Sequence, residues 1–121
     1  MNLIQMPSPN FDSGRNWQKV KKIFIHWVAV GTAESAANYF SKTSSGVSAH
    51  YIVGDDTVYQ CVQEKDTAWH AGVYEENLKS IGIEHEATPD KSATDLTYKT
   101  SAALIADTIV PSYCFHKGFF A

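Results

Sequence analysis

The chain has 121 residues, 44% hydrophobic and 19% charged, with ten basic against thirteen acidic side chains and a formal net charge of -3. That size suits one compact domain, read here as spanning residues 1–121, and that composition excludes wholesale disorder. Arg15 is the sole arginine, and no apolar run reaches the roughly 18 residues of a bilayer span, so neither nucleic-acid binding nor membrane insertion is expected.

Residues 1–18 are polar, contain Pro7, Pro9 and Gly14, and read as an extended arm lying on the domain. A basic region followed by an apolar one is absent from Met1 to Arg15, so no secretory signal is expected. The first apolar block runs from Val20 to Val30. Ile23, Ile25 and Trp27 alternate there with Phe24, His26 and Val28, which predicts a strand buried on both faces. Thr32 to Ser41 predicts a helix, with Thr32 as N-cap and an apolar stripe of Ala33, Ala36, Ala37 and Phe40.

Val47 to Val53 and Thr57 to Val62 predict a hairpin around Gly54-Asp55-Asp56. Asp66 to Tyr74 reads as irregular. Ser80 to Glu86 predicts a strand with Ile81, Ile83 and His85 on one face and Gly82, Glu84 and Glu86 on the other. A helix is predicted from Thr97 to about Thr108, capped by Thr97 or Asp95 and ended by Pro111. Residues 108–121 form a divergent, aromatic tail. The fold class is mixed α/β: a central mixed sheet flanked by helices.

Several residues are capable of chemistry. His26 lies mid-strand among apolar neighbours, as either a core histidine bonded to backbone or a metal ligand at a strand end. Glu84 is either part of a solvated face with Glu86 or a general base beside a metal-bound water; Gly82 would then let substrate approach the sheet closely. His50 and His70, each taken alone, read as structural, and His85 takes a structural role opposite Glu84. Cys114 and His116 are metal-capable types in the tail, and Cys61 and Cys114 are read as free thiols. No phosphate loop, G-x-S-x-G, H-E-x-x-H or C-x-x-C is present.

Four segments in order carry a resemblance: Phe24-Ile25-His26-Trp27, Val47-Ser48-Ala49-His50-Tyr51, Asp66-Thr67-Ala68-Trp69-His70-Ala71-Gly72 and Ser80-Ile81-Gly82-Ile83-Glu84. Together they resemble the zinc-dependent N-acetylmuramoyl-L-alanine amidases of the type-2 group, which share a fold with the peptidoglycan recognition proteins. The resemblance runs from about Met1 to Ala106. It implies a mixed sheet with a peptidoglycan groove, and hydrolysis of the amide between N-acetylmuramic acid and L-alanine of the stem peptide. It implies His26 as the first ligand of Zn2+ and Glu84 as the catalytic carboxylate. It places His50 near the groove as a structural or supporting residue and His70 on the groove wall; Trp27 and Trp69 join them as candidate substrate contacts. The partner it implies is bacterial cell-wall peptidoglycan. An endolysin role follows, with the protein held in a host cytoplasm until release to the wall.

The chain departs from the family in its last part. The Asp-Pro-Gly segment that carries the later zinc ligands is absent, and Thr108 to Ala121 does not resemble the family ending. The final helix, strand and ligand loop therefore read as cut short or replaced, with an apolar sheet edge as the expected consequence. Either the zinc site is incomplete, leaving a peptidoglycan-binding module or an inactive fragment, or the tail folds back and supplies His116, with Cys114 or Glu84, as substitute ligands.

Overall fold

The structure, a computed structural model, describes residues 1–113. Its strands are β1 (Asn2–Gln5), β2 (Phe11–Asp12), β3 (Lys22–Trp27), β4 (Tyr51–Gly54), β5 (Thr57–Gln60), β6 (Thr67–Ala68) and β7 (Ser80–His85). The helices are α1 (Ala33–Phe40), α2 (Tyr74–Leu78), α3 (Asp95–Leu104) and α4 (Val110–Tyr113). Five strands form one sheet in the order β1-β5-β4-β7-β3, and β2 pairs with β6 in a separate ribbon. The β4–β5 hairpin is antiparallel, and the other contacts in the large sheet are parallel. Among the described residues no helix is long and apolar enough to cross a membrane.

Each face of the sheet carries its own core. Tyr51, Val53, Val58, Ile81 and Ile83 pack with Leu104 and Ile109 on one side. On the other, Ala49, Ile52 and Cys61 pack with Ala33, Ala37 and Phe40 of α1. Strand β7 lies between β4 and β3, so Ile81 and Ile83 are fully buried and Gly82 and Glu84 look toward the α1 side. Period-two alternation makes that division unavoidable once one face is apolar.

Thr32 caps α1 as expected: its side chain accepts from the Ser35 N–H, while the Ser35 hydroxyl accepts from the Thr32 N–H in return. Glu86 accepts from the Ala33 N–H at 2.5 Å, placing a carboxylate at the positive end of the helix. His85 is buried opposite Glu84 and bonds Ser101 Oγ at 2.7 Å, the structural role expected of it. Cys61 is a free thiol, buried and pushed up to about 12 by burial. His116 and Cys114 lie outside the described residues.

Several expectations need correction. The first eighteen residues are more than an arm, because β1 is a sheet strand paired in parallel with β5 and β2 pairs with β6. The segment before β7 is not wholly irregular either, since it contains β6 and leads into α2. Strand β3 is not buried on both faces. Among the described residues it pairs only with β7, leaving Ile25 and Trp27 about half exposed, at 49% and 50%. This is the apolar edge expected above.

The cap of α3 is Thr94 rather than Thr97 or Asp95. Thr97 instead accepts from the Asp55 N–H, and Thr94 bonds the Asp55 carboxylate, so α3 is tied to the tip of the β4–β5 hairpin. Pro111 does not end the helix. A π-turn at Ile105–Ile109 widens the helix just before α4, in whose first turn the missing proline N–H is tolerated.

Candidate active site

His26 and Glu84 are lateral neighbours: β3 and β7 run parallel with His26 in register with Glu84. Both side chains stand on the α1 face. Glu84 borders a cavity of about 440 Å³ lined chiefly by Val28, Val30, Tyr39 and Phe40. Its Oε2 is buried without a hydrogen-bond partner, and burial pushes the carboxyl up to about 7. Glu86, on the same face, is held by the N-terminus of α1. Two carboxylates that look alike in sequence thus divide: Glu86 is a helix cap, and Glu84 is poised at neutral pH.

Gly82 does not open the sheet to substrate as expected. The imidazole of His70 occupies that space, and a Cβ built on Gly82 would lie 2.5 Å from His70 Cγ. His70 Nδ1 is 2.9 Å from His26 Nε2, and His70 Nε2 is 3.0 Å from Ser80 Oγ. Both ring nitrogens are therefore engaged within the protein, and the side chain is part-buried.

His50 lies inside the fold. It is fully buried, its Nδ1 accepts from the Gly82 N–H, and its Nε2 bonds the Asp66 carbonyl at 2.9 Å. Trp27 falls on the opposite sheet face from His26, bordering a cavity with Pro89 and Tyr98. Trp69 is partly buried, with its indole N–H donating to Asp12 at 2.9 Å. Two contributing residues were missed. Ser80 holds His70, and Arg15 binds the backbone around β7. A lone arginine in a chain otherwise using lysine, and a glycine between Ile81 and Ile83, were the available signals.

Burial keeps the imidazoles neutral. It lowers His50 to about 4, with Arg15 adding repulsion, and His70 to about 3, with His50 and His26 adding repulsion; burial also lowers His26. Bases depressed in the folded state stabilise it fully above the ordinary histidine range and less as pH falls toward the folded values. His50 and His70 each contribute on the order of 3 kcal/mol at neutral pH. Together they outweigh the opposite trend of Glu84. The urea midpoint is expected to fall between pH 7.5 and pH 5; an unchanged midpoint would contradict this account.

Gly82→Ala should expel the His70 ring and destabilise the fold by about 1–3 kcal/mol. The double variant Gly82→Ala/His70→Ala should lose less than the sum of the single changes. Additive losses in a double-mutant cycle would show that ring and glycine are not in conflict.

Comparison with known proteins fits this geometry. Residues 16–113 match the family described as N-acetylmuramoyl-L-alanine amidase. The chain belongs to that family. It is 30% identical over 114 residues to N-acetylmuramoyl-L-alanine amidase A of Achromobacter lyticus, across 92% of this chain; it spans 59% of that relative's length. Among solved structures, a mutant endolysin from Bacillus subtilis superposes with a TM-score of 0.72 and 28% identity, covering 96% of this chain and 79% of that one. AmiD from E. coli, solved with anhydro-N-acetylmuramic acid-L-Ala-D-gamma-Glu-L-Lys, gives a TM-score of 0.63 at 26% identity, over 80% of this chain and 45% of that one. The amidase-like fold is thus the one observed, with His26 and Glu84 on adjacent strands.

A catalytic zinc takes three protein ligands and keeps a fourth position open. Among the described residues no group of three His, Cys, Asp or Glu side chains is placed to hold a metal. By themselves these residues therefore do not fit a complete zinc centre; His26 is the imidazole they offer.

Proposed function

We propose that the chain is a peptidoglycan amidase, hydrolysing the bond between N-acetylmuramic acid and L-alanine of the stem peptide. The observation that carries this reading is Glu84: a carboxylate with a buried, unpartnered oxygen, held near 7, beside His26 at an apolar cavity. A base is most effective when its pKa lies near the working pH. Glu84 takes a proton from the attacking water as the new C–O bond forms. It then passes the proton to the departing amine as the C–N bond breaks. Val28, Val30, Tyr39 and Phe40 give the stem peptide apolar contact, and the substrate named in the AmiD complex has the same chemistry.

Zinc dependence is part of the proposal, with His26 as a ligand; His116, the substitute ligand named from the sequence, lies outside the described residues. An endolysin role, with peptidoglycan as partner and release from a host cytoplasm to the wall, is supported by the likeness to the Bacillus subtilis endolysin. A second reading is a non-catalytic peptidoglycan-binding module, favoured by the shortage of metal-capable groups among the described residues.

The test is incubation of the purified chain with purified peptidoglycan and one equivalent of Zn2+, reading newly exposed L-alanine amino groups and zinc per chain. Cleavage lost on chelation, with about one zinc bound, supports the amidase. Sedimentation with peptidoglycan without cleavage supports the binding module. Neither binding nor cleavage would defeat both readings.

A further inference from the structure

His26, His70 and Ser80 form a directed relay. The relay ends at the Glu76 carbonyl, which can only accept. Ser80 Oγ lies 2.6 Å from that oxygen and must give its single proton to it; the alternative sets two lone pairs face to face. The oxygen of Ser80 is then an acceptor, so the proton between it and His70 belongs to His70 Nε2. A neutral imidazole carries one N–H, which leaves a lone pair on His70 Nδ1. That lone pair accepts from His26 Nε2 at 2.9 Å. By the same count, His26 Nδ1 holds the free lone pair.

We propose that His70 is a positioning residue that fixes the tautomer and ring orientation of His26, so that Nδ1 is the nitrogen His26 presents as ligand or base. The contacts around it agree. The His70 ring lies over Gly82, where a Cβ would strike it, and the Asn77 side-chain oxygen accepts from the His70 and Ala71 N–H groups, holding the backbone of that loop. Ser80 is fully buried, so water does not compete for its hydroxyl. The inference deepens the amidase reading, in which His26 is a zinc ligand, but the tautomer itself is independent of that reading.

The experiment is nitrogen NMR of histidine-labelled, metal-free full-length chain at neutral pH. His26 should show a protonated Nε2 and an unprotonated Nδ1, and His70 the same. In His70→Ala, the His26 nitrogens should move toward exchange-averaged shifts. His70→Gln, whose amide oxygen can accept from Nε2, should restore part of the wild-type signature. Ser80→Ala is the milder variant should His70→Ala fail to fold, and it should loosen both rings.

A wild-type His26 protonated on Nδ1 would overturn the proposal. So would a His26 tautomer unchanged in both His70→Ala and Ser80→Ala. The relay signature with no His26 resonance moved by Zn2+ would leave the positioning role standing and defeat the ligand reading instead.

Discussion

Glu84→Gln is expected to lower amide cleavage by about 10²–10⁴-fold, the usual contribution of a general base, while making the folded chain harder to unfold above pH 7. Both effects come from the same oxygen. Glu84 Oε2 is buried with no partner, and burial alone pushes its carboxyl up to about 7. An unfolded glutamate titrates at about 4.3. Between those values the folded chain holds a proton that the unfolded chain has released. Stability therefore falls as pH rises through that window and levels off above it. Glutamine keeps the shape and cannot ionise, so it escapes the loss. Because part of the side chain meets solvent, a gain of about 1–3 kcal/mol at pH 8 is expected, with none at pH 4. Thermal unfolding of both proteins at the two pH values checks this. A variant equally stable at both would mean that Glu84 has a partner in solution, and unchanged turnover would remove it from the chemistry.

Much of this arrangement was readable from residue order. Alternation in Ser80–His85 placed Glu84 opposite Ile81 and Ile83, and a threonine before an alanine-rich stripe marked the start of α1. These signals are local, carried by period and by capping chemistry. What escaped is non-local. Leu3 and Ile4 are too few to announce β1, whose pairing with β5 joins residues more than fifty positions apart. The exposure of β3 was hidden because apolar alternation records what a strand is made of and not how many neighbours it has. Thr94 was passed over as the α3 cap because Thr97 and Asp95 looked equally suitable until the β4–β5 hairpin tip was placed beside them.

The site divides in the same way. His26 and Glu84 were candidates on the resemblance of their strand segments, and the structure sets them side by side on β3 and β7. The seating of His70 over Gly82 could not be read from the sequence, because it depends on a loop crossing the sheet. A glycine in a buried strand signals that something comes close; whether substrate or side chain fills the space is decided by the tertiary fold.

Arg15 holds the segments on either side of that loop, and Arg15→Ala is expected to destabilise the chain by about 1–3 kcal/mol, the usual cost of leaving part-buried acceptors without a donor. Against a typical total of about 5–15 kcal/mol, that loss is a large share of the stability. The guanidinium donates to the Glu64 carbonyl through Nε and Nη2 at 3.0 and 2.7 Å, and to the Leu78 and Ser80 carbonyls through Nη1 at 3.0 Å each. One planar fork thus ties the segment after β5 to the first residue of β7. Removal would leave these carbonyls without a donor in a partly buried region where water reaches them poorly. Nη2 also stands 3.2 Å from His50 Nε2. Since that nitrogen already donates to Asp66, the contact is a repulsion that helps keep His50 neutral. Arg15→Lys tests geometry against charge. An ammonium can satisfy one side of the gap but lacks the fork to span both, so it should recover less than half of the lost stability. Urea unfolding measures both variants. Full recovery by lysine would mean that charge alone holds the segment, and an unchanged midpoint in Arg15→Ala would mean that the carbonyls find water. If the fork is what matters, hydrogen exchange in Arg15→Lys should rise first at Ser80 and Gly82, the residues beneath His70, before the rest of the sheet opens.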